Sequence, residues 1–195
     1  MKHLIFTRMR FDDKNLMSKY LDVTKKTLAP SLKNQTNQNF TWVLMIRKED
    51  EDFLRKELNY PFRAVYDINE FANAAISEKF EIQTRHDCDD NMSPNYIQKL
   101  QDLYEQNKDQ YECTLIHCQP TQIIYQTGEI KKLGNYHDKR TSMHLTICQK
   151  NVVHHVYEKK HGEMWKVAQK IILLPEGYTE WIIHENNISV RKNKK

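Results

Sequence analysis

The sequence lacks any long apolar run. No stretch approaches the roughly 20 apolar residues that a membrane-spanning helix needs, and the short run at the start, residues 3–6 (HLIF), is too brief for a secretory signal. These two absences predict a soluble, cytoplasmic protein with no stable membrane insertion.

Cysteine is scarce, and repeats and low-complexity linkers are missing. The four cysteines are scattered and show neither the close pairing with histidine of a zinc site nor the density of a secreted disulfide scaffold. We expect reduced thiols at Cys88, Cys113, Cys118 and Cys148. Because no linker divides the chain, we expect one domain over residues 1–190.

The chain also lacks a large excess of charge of either sign. The chain has 30 basic and 26 acidic residues, and residues 191–195 (RKNKK) contain as many basic residues as the formal excess of +4. The remainder is therefore nearly neutral and lacks the broad basic face that nucleic-acid binding needs. We interpret residues 191–195 as a basic, flexible tail.

Apolar and aromatic residues are sufficient for a folded core, at 39% and 10% of the chain. Runs of strand length alternate with segments of helical period, which is typical of an α/β domain. The pattern predicts a mostly parallel central sheet with helices on both faces and a smaller antiparallel portion in the C-terminal half. Predicted strands are residues 3–7, 41–46, 63–66, 80–83, 114–117, 145–147 and 181–183, and predicted helices are residues 16–32 (bent or restarted at Pro30), 48–58, 165–172 and one that opens at Ser93 and Pro94.

Three aspartates, Asp87, Asp89 and Asp90, lie within four residues, just beyond the predicted strand 80–83. In open α/β sheets, ligands gather beyond the carboxyl ends of the strands. Clustered negative charge is unfavourable unless a cation or hydrogen-bond donors compensate it. Mg²⁺ or Mn²⁺, completed by substrate phosphates, fits such a cluster. A solvated acidic turn ahead of the next helix is the alternative.

Two other interpretations of the aspartate cluster can be tested by where the residues lie in the sequence. An EF-hand loop counted from Asp87 needs glycine at its sixth place and glutamate at its twelfth, where the chain has Met92 and Gln98, so that reading is excluded. A metal-dependent phosphatase with an aspartyl nucleophile would carry its acidic motif on the first strand. It stays open as an alternative.

Three segments in chain order carry a resemblance to a known family. They are similar to its motifs L-x-S-L-x-x-Q-T-x-x-x-F and R-N-x-G-I … D-x-D-D and to the late segment of its rhamnosyltransferase group. The segments are residues 28–40 (LAPSLKNQTNQNF), residues 73–76 (NAAI) with 80–82 (FEI) and 87–90 (DCDD), and residues 181–187 (WIIHENN) with 84–85 (TR). On these residues the chain resembles the GT-A (Rossmann-like) glycosyltransferases of the large inverting family that builds polysaccharides.

The resemblance implies an activity. It implies metal-dependent, inverting transfer of rhamnose or another hexose from a nucleoside-diphosphate sugar to a saccharide or glycan acceptor, with Mn²⁺ or Mg²⁺ as cofactor. A non-catalytic module that binds nucleotide or carbohydrate is the alternative from a different class.

The resemblance also assigns residues. Asp89 and His184 would bind the metal at the diphosphate, and Asp87 would contact the ribose or base. Asp90 would belong to the catalytic set, as a contact to the donor sugar or a support for its neighbours. Other contacts to the nucleotide and its phosphates would come from Thr7, Arg8, Arg10, Asn73 and Arg85.

The general base of an inverting reaction would be a carboxylate well downstream of the metal motif. Glu163 in residues 161–165 (HGEMW) is the candidate and Glu158 the reserve. The chain departs from the family at two places. Residues 46–50 (IRKED) stand where an aspartate pair for uracil and ribose is common, and Ala72 stands where arginine is usual. The nucleotide therefore stays open.

Overall fold

The computed structural model describes residues 1–124, 130–131 and 144–184. Within these ranges the chain alternates strands and helices. The strands are β1 (His3–Arg8), β2 (Thr41–Met45), β3 (Arg63–Val65), β4 (Ile82–Arg85), β5 (Asn91–Met92), β6 (Cys113–Cys118), β7 (Thr121–Ile124), β8 (Ile130–Lys131), β9 (His144–Gln149), β10 (Lys170–Leu174) and β11 (Thr179–Ile183). The α-helices are α1 (Lys14–Lys26), α2 (Leu28–Lys33), α3 (Glu51–Leu58), α4 (Ile68–Ser77) and α5 (Tyr96–Asn107), and 3₁₀ turns cover Lys48–Asp50 and His161–Val167.

A seven-stranded sheet in the order β10-β6-β9-β4-β1-β2-β3 forms the centre of the fold. Strand β9 is antiparallel to both of its neighbours, whereas the other pairings are parallel. A second sheet, β5-β11-β7-β8, combines two antiparallel pairings with one parallel pairing. The predicted α/β class, mostly parallel sheet and smaller antiparallel portion are confirmed.

Both faces of the central sheet are covered, because successive side chains of a strand point to opposite faces. On β1, Ile5 belongs to the core that also contains buried residues of α1, α2, α3 and α5. Leu4 and Phe6 face the other core, which α4 and the segment around residues 156–168 complete. There the rings of Phe6 and Phe71 lie 4.0 Å apart between centroids. The buried strands therefore hold the loops at their ends rigidly.

Local signals explain where several helices begin. Asp13 precedes α1 and Asp67 precedes α4, and each side chain accepts hydrogen bonds from two backbone amides of the first turn. Such caps satisfy donors that have no partner inside the helix. The predicted helix is interrupted, but at Thr27, between α1 and α2, and not at Pro30. Pro30 lies in the first turn of α2, where its missing N–H is not needed.

Two predicted helix positions are wrong. Helix α5 begins at Tyr96 and not at Pro94, because residues 93–96 form a turn in which the Tyr96 amide donates to the carbonyl of Ser93 at 3.1 Å. The predicted helix over residues 165–172 is a 3₁₀ turn followed by β10, which pairs with β6 along its full length. The β-branched Ile171 and Ile172 favour a strand there. The predicted hairpin turn at residues 127–128 lies outside the described residues.

The predicted tail, residues 191–195, also lies outside the described residues, and the single-domain prediction stays a prediction. In the described ranges, no helix has the length and apolar character required to cross a membrane.

One buried histidine links this fold to pH. His3 is 2% exposed on β1, and its Nε2 lies 2.9 Å from the hydroxyl of Thr84 on β4. Burial lowers the pKa of His3 to about 3. The folded chain therefore keeps this imidazole neutral at a pH where the unfolded chain protonates it.

We predict that His3 makes the free energy of unfolding fall as pH drops below about 6.5, because the unfolded state then protonates this imidazole and the folded state does not. His3 alone contributes a slope approaching about 1.4 kcal/mol per pH unit near pH 5. Urea unfolding of wild type and His3→Gln at pH 7.5, 6 and 5 measures this. On going from pH 7.5 to pH 5, wild type should lose stability relative to the His3→Gln chain, and equal changes in the two chains would contradict a buried neutral His3.

Candidate active site

Residues 86–90, which we call the acidic loop, leave the carboxyl end of β4 beside the carboxyl end of β1. The His86 amide donates to the carbonyl of Phe6 at 3.0 Å and extends the parallel ladder into the loop. The carbonyl of Cys88 accepts a 2.7 Å hydrogen bond from the hydroxyl of Thr24 on α1. The loop is thus fixed on two sides. As predicted, its aspartates follow a buried strand at the edge of the sheet where α/β proteins bind ligands.

Strand β11 brings the late part of the chain to this loop. Glu180 and Thr179 pair antiparallel with Asn91 and Met92 of β5, which follows the acidic residues directly. Because the two strands run in opposite directions, the residues after Thr179 pass back along the loop.

His184, at the end of β11, meets Asp89. Its Nε2 lies 2.9 Å from Oδ2 of Asp89, although the two residues are 95 positions apart, and both side chains are buried. The ring of Tyr20 on α1 packs against the imidazole edge to face, at 5.3 Å between centroids. The structure therefore brings together the two residues predicted to bind a metal.

Arginines stand beside the first aspartate of the loop. Arg85 Nε lies 3.8 Å from Oδ1 of Asp87, and the Arg85 guanidinium stacks over the ring of Tyr157 at 4.2 Å from its centroid. Burial raises the pKa of Asp87 to about 6, while the positive charges of Arg85 and Arg8 act in the opposite direction. Arg85 Nε is buried and makes no hydrogen bond within the described part of the chain, where its polar contact is the ion pair with Asp87.

Asp90 points inward and not toward this edge. It is 1% exposed, and its Oδ1 accepts a 3.0 Å hydrogen bond from the amide of Ile182 on β11. Its Oδ2 lies 3.4 Å from Nε2 of His144, and Nδ1 of His144 lies 3.0 Å from Nδ1 of His86. Burial, reinforced by the charges of the neighbouring aspartates, raises the pKa of Asp90 well above its usual range.

Three other residues predicted to contact the nucleotide make their contacts away from the acidic loop. Thr7 is fully buried, and its hydroxyl accepts a 3.0 Å hydrogen bond from the indole of Trp42. Arg10 follows β1, and its guanidinium donates to the carbonyl of Tyr66 after β3. Asn73 lies exposed on α4. Within the described residues, no hydrogen bond or ion pair joins these three to the acidic loop.

Neither candidate for the general base contacts the acidic loop in the described part of the chain. Glu163 lies in the first turn of His161–Val167, and its carboxylate accepts a 2.9 Å hydrogen bond from Lys166, which lowers its pKa. Glu158 lies 2.7 Å from Nδ1 of His154. Both roles stay predictions.

The fit of a metal can be judged from the donor atoms alone. Across residues 1–124, 130–131 and 144–184, no three histidine, cysteine or acidic side chains form a metal-binding group. Asp89 and His184 thus supply a carboxylate and an imidazole as a two-residue set. Mg²⁺ sites that share a phosphorylated substrate use one or two carboxylates from the protein, and imidazole is a common ligand of transition metals. A carboxylate with an imidazole is a donor set that a divalent cation such as Mn²⁺ could share with a phosphorylated substrate.

Sequence reasoning missed three side chains of this region. His86 is next to the acidic motif, but only the strand register shows that it faces His144 of β9. Tyr157, the platform for Arg85, comes from an irregular segment with no periodic signal. The alternation along β4 could have indicated that Arg85 and His86 point to opposite faces.

Comparison with known proteins gives the class of fold. No family model and no curated protein matches the sequence. Among solved structures, S. aureus TarS 1-349 in complex with UDP-GlcNAc is similar at a TM-score of 0.57 and 14% identity, covering 95% of this chain and 59% of that one. A cytidylyltransferase from Leptospira borgpetersenii serovar Hardjo-bovis is similar at a TM-score of 0.55 and 15% identity, covering 90% of this chain and 76% of that one.

The fold is therefore of the GT-A-like α/β kind. The chain spans about three fifths of the TarS fragment, 59% of its length. These likenesses do not distinguish the rhamnosyltransferase group within the fold.

Proposed function

We propose that this protein transfers a sugar from a nucleoside-diphosphate sugar to a saccharide acceptor, with inversion and with Mn²⁺ or Mg²⁺ bound at Asp89 and His184. The observation that carries the proposal is the contact between Asp89 Oδ2 and His184 Nε2 at 2.9 Å. This contact joins a carboxylate and an imidazole beyond the carboxyl end of β4, and Asp87, two residues before Asp89, lies near Arg85.

The diphosphate of the donor would bind next to Asp89 and His184, with Arg85 and Arg8 as counter-charges. A divalent cation, when bound, supplies Lewis acidity and offsets charge on the leaving diphosphate. Arg85 is held by stacking on Tyr157, and a guanidinium suits the oxygens of a phosphate. Arg8, close enough to influence Asp87, adds a second positive charge.

The ribose fits on Asp87. With its pKa raised to about 6, this carboxyl is ionised at neutral pH and can accept hydrogen bonds from hydroxyls. The crystal structure of TarS with UDP-GlcNAc supports a nucleotide-sugar as donor. We propose rhamnose or another hexose as the sugar, on the resemblance of residues 181–187 to the rhamnosyltransferase group.

Nucleotidyl transfer is a second candidate function, because the cytidylyltransferase from Leptospira matches this chain at nearly the same TM-score as TarS. The two reactions release different products. Sugar transfer releases a nucleoside diphosphate, whereas nucleotidyl transfer from a nucleoside triphosphate releases pyrophosphate. A phosphatase would release inorganic phosphate, and a binding module would release nothing.

The product therefore decides the reaction class. A thermal-shift screen of nucleotide-sugars and nucleoside triphosphates with Mn²⁺ identifies the ligand, since a ligand that binds only the folded state raises its apparent stability. Chromatography of the mixture then identifies the product. Release of nucleoside diphosphate together with a glycosylated acceptor supports the proposal, and pyrophosphate release contradicts it.

We predict that binding of a nucleoside diphosphate requires both a divalent metal and Asp89. Calorimetry with UDP, GDP and dTDP, with and without Mn²⁺, compares wild type with Asp89→Ala. Loss of one ligand should weaken Mn²⁺-dependent binding by at least about 10-fold, because the metal then keeps a single protein donor.

The control is Asp52→Ala, which removes an exposed carboxylate of α3 and should bind like wild type. Equal affinity of wild type and Asp89→Ala, with and without metal, would rule out the metal assignment.

We also predict that Glu163 acts on the acceptor side. If it deprotonates the acceptor hydroxyl, Glu163→Gln lowers kcat by roughly 10²–10⁴ and leaves donor affinity nearly unchanged. Substitutions of Asp87, Asp89 and His184 should instead weaken donor binding as well as turnover. Steady-state kinetics with calorimetry of the donor separate the two effects.

Glu158→Gln is the matched comparison. If Glu163→Gln transfers sugar at the wild-type rate while Glu158→Gln does not, the base is Glu158. Full activity in both variants would show that residues 158–163 do not supply the base.

A further inference from the structure

The carboxylate of Asp90 connects the two chain segments that carry the proposed metal ligands. It follows Asp89 directly, and its Oδ1 accepts a 3.0 Å hydrogen bond from the amide of Ile182, two residues before His184. A buried backbone amide is costly to leave without an acceptor, and Asp90 supplies one to Ile182. The position of Ile182 relative to the loop is therefore fixed by Asp90.

The second oxygen of Asp90 faces a pair of buried histidines. Oδ2 lies 3.4 Å from Nε2 of His144, and the two Nδ1 atoms of His144 and His86 are 3.0 Å apart, with both rings fully buried. One ring must donate and the other accept across the Nδ1 contact. Burial lowers the pKa of His86 to about 3 and keeps that ring neutral. The histidines thus limit the directions in which the Asp90 carboxylate can turn.

We propose that Asp90 is a positioning residue, which holds β11 against the acidic loop so that His184 reaches Asp89, and that His144 and His86 hold the Asp90 carboxylate in place. The proposal rests on the proposed function for the metal role of Asp89 and His184. It gives the third aspartate of the loop a role that requires no contact with donor, metal or acceptor.

Two substitutions of Asp90 distinguish a positioning role from a role that depends on its negative charge. Asn at position 90 keeps an oxygen acceptor for the Ile182 amide and offers Nδ2 toward His144, whereas Ala removes both contacts. A positioning role therefore survives Asp90→Asn and is lost in Asp90→Ala. A role that depends on the negative charge of Asp90 is lost in both.

The experiment measures two quantities in each variant. Amide hydrogen exchange at Ile182, followed by NMR without metal, reports the hydrogen bond itself. Calorimetry with Mn²⁺ and whichever of UDP, GDP or dTDP binds wild type tightest reports the site. We expect Asp90→Ala to speed exchange at Ile182 and to weaken Mn²⁺-dependent nucleotide binding by about 10–100-fold, the usual effect of removing a residue that supports metal ligands. Asp90→Asn should keep slow exchange and bind within about twofold of wild type, because it retains the acceptor.

Two further variants keep the test decisive. His144→Leu leaves the Ile182 hydrogen bond possible but removes the partner of Oδ2, and it should weaken nucleotide binding by up to about 10-fold; it replaces Asp90→Ala if that chain does not fold. His3→Gln, at the opposite end of the sheet, is the control for lost buried polar contacts and should leave nucleotide affinity unchanged.

The outcomes separate this proposal from the proposed function. Equal weakening in Asp90→Asn and Asp90→Ala would overturn the positioning role, and so would unchanged binding in both Asp90→Ala and His144→Leu. If wild type binds no nucleotide with Mn²⁺, the proposed function fails. Exchange at Ile182 still tests whether Asp90 holds β11.

Discussion

The contact between Asp89 and His184 is the constraint on which the rest of the site depends. It joins a loop in the middle of the chain to the end of β11, across 95 positions of sequence. Parallel pairing of β1 with β4 fixes where the acidic loop begins. Antiparallel pairing of β5 with β11 brings the end of β11 back beside this loop. The two sheets are therefore required together, because neither alone brings the carboxylate and the imidazole within 3 Å of each other.

Each of the three clustered aspartates has its own electrostatic surroundings. Three carboxyl groups share a partly desolvated loop, and burial raises the pKa of Asp87 and Asp90. Each aspartate has a different compensating group: arginines for Asp87, an imidazole for Asp89, and a backbone amide with buried histidines for Asp90. The three aspartates of one short motif thus have different surroundings, in line with the separate roles proposed for them.

Local features of the sequence predicted much of this arrangement. The acidic loop after a buried strand and the α/β alternation depend on neighbouring residues, and both were predicted correctly. The His86–His144 pair and the stacking of Tyr157 on Arg85 depend on strand order and on an irregular segment, so no spacing reveals them. Residues 165–172 were predicted as a helix, because a short apolar run does not distinguish a helix from a strand. In the structure, residues 170–174 pair with β6 and form strand β10.

A crystal structure with Mn²⁺ and a bound nucleoside diphosphate, with anomalous diffraction recorded at the manganese edge, tests the metal role of Asp89 and His184 most directly. We predict one anomalous peak within coordinating distance, about 2.0–2.3 Å, of an Asp89 carboxylate oxygen and of His184 Nε2, with phosphate oxygens completing the shell. A nucleotide complex in which the manganese binds elsewhere, or in which His184 keeps its hydrogen bond to Asp89 without a metal, would contradict it.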